Sequence, residues 1–172
     1  MATAIADLVP APRKIVANLP YNIATALLLR WLPDIAAFES LTLLFQKEVA
    51  QRLAAAPRTH AYGRLSVMVQ WRSAVRLLFD ITPRAFVPPP KVTSTLVQLT
   101  PRSTPLAPCD AAALERVTSG AFGQRRKMLR QSLKSIWPDP DPHLRACGIV
   151  PTARAEELSV EEFCALARES LA

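Results

Sequence analysis

Lys14-Ile15-Val16-Ala17-Asn18-Leu19-Pro20-Tyr21-Asn22 is the stretch on which the fold turns. Its first four residues form a short apolar run, and Pro20, with no backbone N–H to give to a ladder, ends any strand there. The expected reading is a strand that runs into a rigid functional loop. Outward from it, residues 23–32 are rich in helix formers and are closed by Pro33-Asp34. Residues 40–45 are apolar and β-branched enough for a buried strand, and 47–56 return to helical composition before Pro57. This βαβα order predicts parallel strands joined by crossover helices, and so an α/β chain.

Further along, residues 63–71 suit a helix, while 75–81 and 94–99 suit strands. Between those strands lies Thr82-Pro83-Arg84-Ala85-Phe86-Val87-Pro88-Pro89-Pro90-Lys91-Val92. Its triple proline favours a stiff, extended polyproline connector, and the strands it joins are expected to pair antiparallel at one sheet edge. Residues 101–108, with three prolines and two hydroxyl residues, read as a linker. Helices are expected over 110–122, over 124–136, and from about Ser159, whose hydroxyl and Glu162 have capping-box spacing. The expected domains are therefore 1–103, α/β, and 104–172, a small helical lobe.

A chain of 172 residues, 50% hydrophobic and 20% charged, can close one core or a small core with an appended lobe. Sixteen prolines stand against four glycines, none before Gly63, which excludes a glycine-rich phosphate loop from the first third. Cys109, Cys147 and Cys164 form no C-x-x-C pair, and only His60 and His143 could join them. This argues against a metal site and against a disulfide framework, and no role is assigned to any of the five. The apolar run 23–29 stops at Arg30, short of the roughly eighteen residues a membrane helix needs. The amino terminus has no charged-then-apolar signal pattern. A cytoplasmic protein with no membrane partner is the expectation.

The net charge of +7 is unevenly spread. Residues 1–57 hold five Lys/Arg against four Asp/Glu, residues 58–134 thirteen against three, and residues 135–172 three against seven. A basic block of this kind raises the local concentration of polyanions, RNA, DNA and anionic membrane among them; the plainer reading is a solvated basic face. Its densest part is Gln124-Arg125-Arg126-Lys127-Met128-Leu129-Arg130-Gln131-Ser132-Leu133-Lys134. Read as a helix, it has an apolar stripe (Met128, Leu129, Leu133, Ile136) and a cationic one (Arg126, Lys127, Arg130, Lys134) able to track a phosphate backbone.

Asn18-Leu19-Pro20-Tyr21 directly after a strand has a chemical rationale. An exocyclic adenine amine is a weak nucleophile because its lone pair is delocalised into the ring, so an enzyme must hold it in line with an electrophile. Asn18 offers a neutral carbonyl acceptor, Pro20 a backbone carbonyl on a rigid loop, and Tyr21 a face for a flipped base. Phe86 could supply the opposite face. Against this, a lone Phe86 is more often a core plug, and Tyr21 could cap a core with its hydroxyl at the surface.

The order of several motifs decides between these readings. Asn18-Leu19-Pro20-Tyr21-Asn22 is followed by Phe45-Gln46-Lys47-Glu48-Val49-Ala50-Gln51-Arg52, Tyr62-Gly63-Arg64-Leu65-Ser66 and Phe86-Val87-Pro88-Pro89-Pro90-Lys91-Val92-Thr93-Ser94. Then come Ala121-Phe122-Gly123-Gln124-Arg125-Arg126-Lys127 and Arg154-Ala155-Glu156-Glu157-Leu158-Ser159. Over about residues 13–171 the chain resembles the small-subunit ribosomal RNA adenine N6-dimethyltransferases, and its last motif resembles these more than their large-subunit relatives. The resemblance implies the later part of a Rossmann-like methyltransferase domain followed by a small α-helical domain. It also implies S-adenosylmethionine-dependent dimethylation of two adjacent adenines in a hairpin near the 3′ end of 16S rRNA, coupled to ribosome small-subunit biogenesis. Asn18 and the Pro20 carbonyl would hold the target amine, Tyr21 and Phe86 would sandwich the adenine, and Asn18 and Leu19 would border the cofactor. Arg125, Arg126, Lys127, Arg130 and Lys134 would face the rRNA or the immature small subunit.

The family's glycine-rich cofactor loop and its acidic cofactor ligands have no counterpart in this chain. The expectation is thus a dimethyltransferase lacking roughly the N-terminal third and inactive alone, with an exposed sheet edge through which it associates. The competing reading is a non-catalytic rRNA-binding or ribosome-assembly module; a DNA adenine methyltransferase ranks below both.

Overall fold

A computed structural model describes residues 8–172. Residues 1–7, counted in the expected first domain and in the reading of the amino terminus, lie outside the described residues. The chain divides into two compact units, one of residues 8–54 and 72–104, the other of 55–71 and 105–172.

The first unit is built on a four-stranded sheet in the order β1-β2-β4-β3, where β1 is Lys14–Ala17, β2 Ser40–Gln46, β3 Ser73–Ile81 and β4 Ser94–Pro101. β1 and β2 run parallel, with Lys14 opposite Ser40, and the crossover between them carries helix α1, Tyr21–Trp31. The parallel pairing expected from the βαβα order is present for this pair. β4 lies antiparallel to both β2 and β3, so the sheet is mixed, and β3 is the edge strand expected of the proline-linked pair. Central β2 buries Leu41, Leu43, Leu44 and Phe45, the near-continuous apolar run of a strand covered on both faces. α1 buries Ala24 and Leu28, one helical turn apart on a single face. Helix α2, Lys47–Leu53, follows β2 directly and buries Ala50 and Leu53.

The second unit is helical. It includes the first residues of α3, Arg64–Arg72, and then α4 Ala111–Gly123, α5 Leu129–Ser132, α6 Asp141–Ala146 and α7 Val160–Glu169. Asp110 caps α4 by accepting from the Ala113 N–H at 2.8 Å, and Ser159 with Glu162 forms the expected reciprocal capping box on α7. The core joins Leu114, Val117 and Ala121 of α4 to Phe163, Leu166 and Ala167 of α7.

Two expectations are corrected. The boundary expected at 103/104 falls one residue later, and the second unit also takes residues 55–71. Tyr62, Val67 and Trp71 are the reason: all three are buried in the helical core, Tyr62 meets Phe122 edge-on at 6.1 Å, and the Trp71 indole donates to the Ala107 carbonyl at 2.8 Å. The helix expected over 124–136 is also absent over its first turn. Gln124–Met128 is a turn, and only Leu129–Ser132 and a 3-10 turn, Leu133–Ser135, are helical. A continuous helix needs the N–H groups of 129 and 130 for its own i−4 carbonyls. Here Leu129 donates to Ala153 (2.8 Å) and Arg130 to Pro151 (3.2 Å), while Met128 bridges Arg154. The expected apolar stripe survives as buried Leu129 and Leu133, whereas Met128 is 39% exposed.

Candidate active site

The strand ending at Ala17 delivers Asn18, Leu19, Pro20 and Tyr21 to the carboxyl end of the parallel pair, where open α/β sheets bind ligands. There they line a cavity of about 330 Å³ with Phe86, Val87, Pro88 and Pro90. The two loops singled out in the sequence thus share one site although 65 residues separate Tyr21 from Phe86. Phe86 is half-buried at this cavity rather than plugging a core. Val87 is fully exposed beside it, an apolar side chain given to solvent at the mouth of a site.

The strand ends hold both loops. The Tyr21 phenol and the hydroxyl of fully buried Ser94 lie 2.5 Å apart, which ties the first loop to the start of β4. Lys47 Nζ donates to Asp80 Oδ2 at 2.6 Å, Thr95 Oγ1 donates to Asp80 Oδ1 at 2.7 Å, and the Lys47 N–H donates to the Thr93 carbonyl at 2.9 Å. This network clamps the end of β3 to the start of β4, the two points from which the proline loop hangs. Lys47 first, then Thr95, holds the Asp80 carboxyl below the usual carboxylate range. Ser94, Asp80 and Thr95 were given no role in the sequence; only the position of Ser94 at the end of the proline motif hinted at one.

The acceptors for an amine are distributed differently from expectation. The Pro20 carbonyl accepts from both the Ile23 and Ala24 N–H groups at 3.0 Å, opening α1. Its two lone pairs are therefore committed. Among the described residues, the Leu19 carbonyl and the Asn18 carboxamide accept no hydrogen bond. Adjacent acceptors from Asn18 and Leu19, between an aromatic on each loop, are what a planar base with an exocyclic amine requires.

The cationic residues expected to face RNA lie in the second unit. Arg126, Lys127, Arg130 and Lys134 are exposed, whereas Arg125 is half-buried and donates to the His60 carbonyl at 2.7 Å. Arg125 braces the turn; its neighbours carry the free charge.

A model of the family described as ribosomal RNA adenine dimethylase matches residues 9–170. The chain belongs to that family. Among its relatives, the ribosomal RNA small subunit methyltransferase A of Paramagnetospirillum magneticum is 63% identical over 168 residues, 98% of this chain and 59% of that protein. The protein of the same name from Rhodospirillum rubrum is 59% identical over 164 residues, 95% of this chain and 57% of that protein. The chain therefore spans less than two thirds of the length of these relatives. A dimethyladenosine transferase from Plasmodium falciparum shares the fold, with a TM-score of 0.75 at 23% identity, over 96% of this chain and 69% of that one. The 23S rRNA methyltransferase ErmE gives 0.62 at 25% identity, with the same coverage. The Rossmann-like methyltransferase fold expected from the sequence is the fold shared with these structures.

Methyltransferases of this family imply S-adenosylmethionine. Among the described residues, no acidic residue and no glycine lines the cavity, so the carboxylate that takes ribose hydroxyls and the glycine loop that lets a backbone approach the cofactor are not part of this lining.

Proposed function

We propose that this chain serves the S-adenosylmethionine-dependent N6,N6-dimethylation of two adjacent adenines in the 3′-terminal hairpin of small-subunit rRNA, on the rRNA or the immature small subunit. The observation that carries the reading is the cavity that brings Asn18, Leu19 and Tyr21 against Phe86. In it the Asn18 carboxamide oxygen and the Leu19 carbonyl accept from the amine of a flipped adenine, and Tyr21 and Phe86 hold the ring between them. Holding the amine by its hydrogens fixes its direction without a strong base, and positioning of this kind supplies much of the rate. The role given to the Pro20 carbonyl passes to Leu19, because Pro20 is engaged in α1. The helical unit supplies backbone contacts through Arg126, Lys127, Arg130 and Lys134, with Arg125 supporting their turn.

Calorimetric titration of S-adenosylmethionine into the chain, followed by methyl transfer to undermethylated small subunits, tests the proposal. The comparison protein is a chimera in which the amino-terminal portion of the Paramagnetospirillum magneticum relative precedes this chain. Two methyl groups transferred to each of two adjacent adenines by the chimera is the expected result. A chimera that binds the cofactor and the rRNA yet transfers nothing would favour the non-catalytic rRNA-binding module.

A further inference from the structure

A second cavity, of about 360 Å³, lies within the helical unit and is lined by Arg130, Asp141, Arg145, Gly148, Val150 and Thr152, among others. Two backbone features build it. After α6 the chain reverses at Gly148, whose φ of +73° is the left-handed conformation that favours glycine. The reversal is closed by Gly148 N–H to Arg145 O (2.9 Å) and Ile149 N–H to Leu144 O (2.8 Å). The same segment then accepts the Arg130 N–H at Pro151, which brings the start of α5 against the end of α6.

The lining of this pocket carries donors that have no partner among the described residues. Arg130 and Arg145 are exposed, and neither forms an ion pair among the described residues. The Thr152 hydroxyl and the N–H groups of Val150 and Thr152 likewise have no partner among the described residues. Asp141 is the one opposing charge among the described residues of the lining. Two guanidinium groups against one carboxylate leave a single positive charge, which matches a phosphodiester and falls short of a dianionic free phosphate. Val150, 65% exposed on the rim, offers apolar surface for the sugar beside it.

We propose that this cavity grips one backbone phosphodiester of RNA, with Arg130 and Arg145 as joint donors and Asp141 limiting the charge accepted. It would be an anchor additional to the turn at Arg126 and Lys127. The inference rests on the RNA-binding reading above and does not require methyl transfer.

The test is binding of a labelled hairpin of the small-subunit rRNA 3′ end to the full chain over a range of salt concentrations. Arg130→Gln and Arg145→Gln should each weaken binding roughly fivefold at low salt. Each should also lower the slope of log affinity against log salt by about 0.7 to 0.9, one phosphate contact. The double variant should lower the slope by that same single step, because both side chains serve one phosphate, and its loss of affinity should be less than the product of the two. Asp141→Asn should tighten binding, an effect of opposite sign that damaged folding would not produce. Parental affinity and slope in both arginine variants would overturn the inference while leaving the proposed function standing. Displacement of the hairpin by millimolar inorganic phosphate would overturn it in favour of a free-phosphate site. Loss at the arginines in a chimera that transfers no methyl groups would uphold it and count against the proposed function alone.

Discussion

Asn18 is exposed, carries no hydrogen bond among the described residues, and lines the cavity beside a carbonyl that is equally free. A side chain with no structural duty can be removed without unfolding the loop, so its loss should be read in the chemistry. In the chimera, Asn18→Ala is expected to lower turnover about a hundredfold while hairpin affinity stays within about twofold. Equal loss of both would make the loop a binding element only. Tyr62 is the opposite case. It is fully buried and its hydroxyl has no partner among the described residues. Burial first, then Glu161 and Glu162, pushes its pKa up, so the phenol stays protonated. Because the ring does the packing and the hydroxyl is buried unpaired, Tyr62→Phe should be neutral or stabilising by up to about 1 kcal/mol in urea denaturation. A cost above that would reveal a partner for the hydroxyl. The place of Asn18 in the cavity was legible from Asn-Leu-Pro-Tyr, whereas the Ser94 contact to Tyr21 was not, since nothing local joins residues 73 apart.

At the scale of elements, local signals succeeded where the chain satisfies itself. Pro20 ends β1, and Ser159 with Glu162 opens α7, because each acts on its nearest backbone neighbours. They failed at 124–128, where the donors a helix would have used are taken by Ala153 and Pro151. That turn gives adjacent cations different surroundings, with Arg125 half-buried against the His60 carbonyl and Arg126 and Lys127 exposed. Arg126→Ala and Lys127→Ala should each lower the salt slope of RNA binding by about 0.7 to 0.9. Arg125→Ala should act through stability, lowering the thermal midpoint by releasing the His60 contact. An equal slope change in all three would return Arg125 to the RNA-facing set. The clamp at the ends of β3 and β4 has a pH signature. Asp80 is depressed by Lys47 and Thr95, so its contribution is present above the ordinary carboxylate range and is lost as pH falls through its lowered native value. Urea denaturation from pH 7 down to about 2 should show Asp80→Asn losing part of the acid dependence of the parent. The effect is modest, because the pair is exposed and screened.

For the whole molecule, β1 is an edge strand whose Val16 is 79% exposed, and Ile23 and Leu29 of α1 are each about two-fifths exposed. An apolar side chain on an unpaired edge favours pairing with another strand. Sedimentation should show concentration-dependent association, reduced by Val16→Lys with little change in the thermal midpoint. Parent and variant sedimenting alike would remove the edge as the cause. The placement of 55–71 in the helical unit belongs to the same scale, since no break in composition marks it; only the burial of Tyr62, Val67 and Trp71 among α4 and α7 residues does. Read alone, the chain of residues specified the strands, most of the helices, the cap of α7, the two loops that line the cavity and the family. Each of these depends on neighbouring residues or on the order of short motifs. The mixed sheet, the unit boundaries, the broken helix at 124–128 and the engagement of the Pro20 carbonyl in α1 were decided in three dimensions. A backbone donor or carbonyl can be used only as often as it has protons or lone pairs, and which distant partner claims it depends on the packed fold.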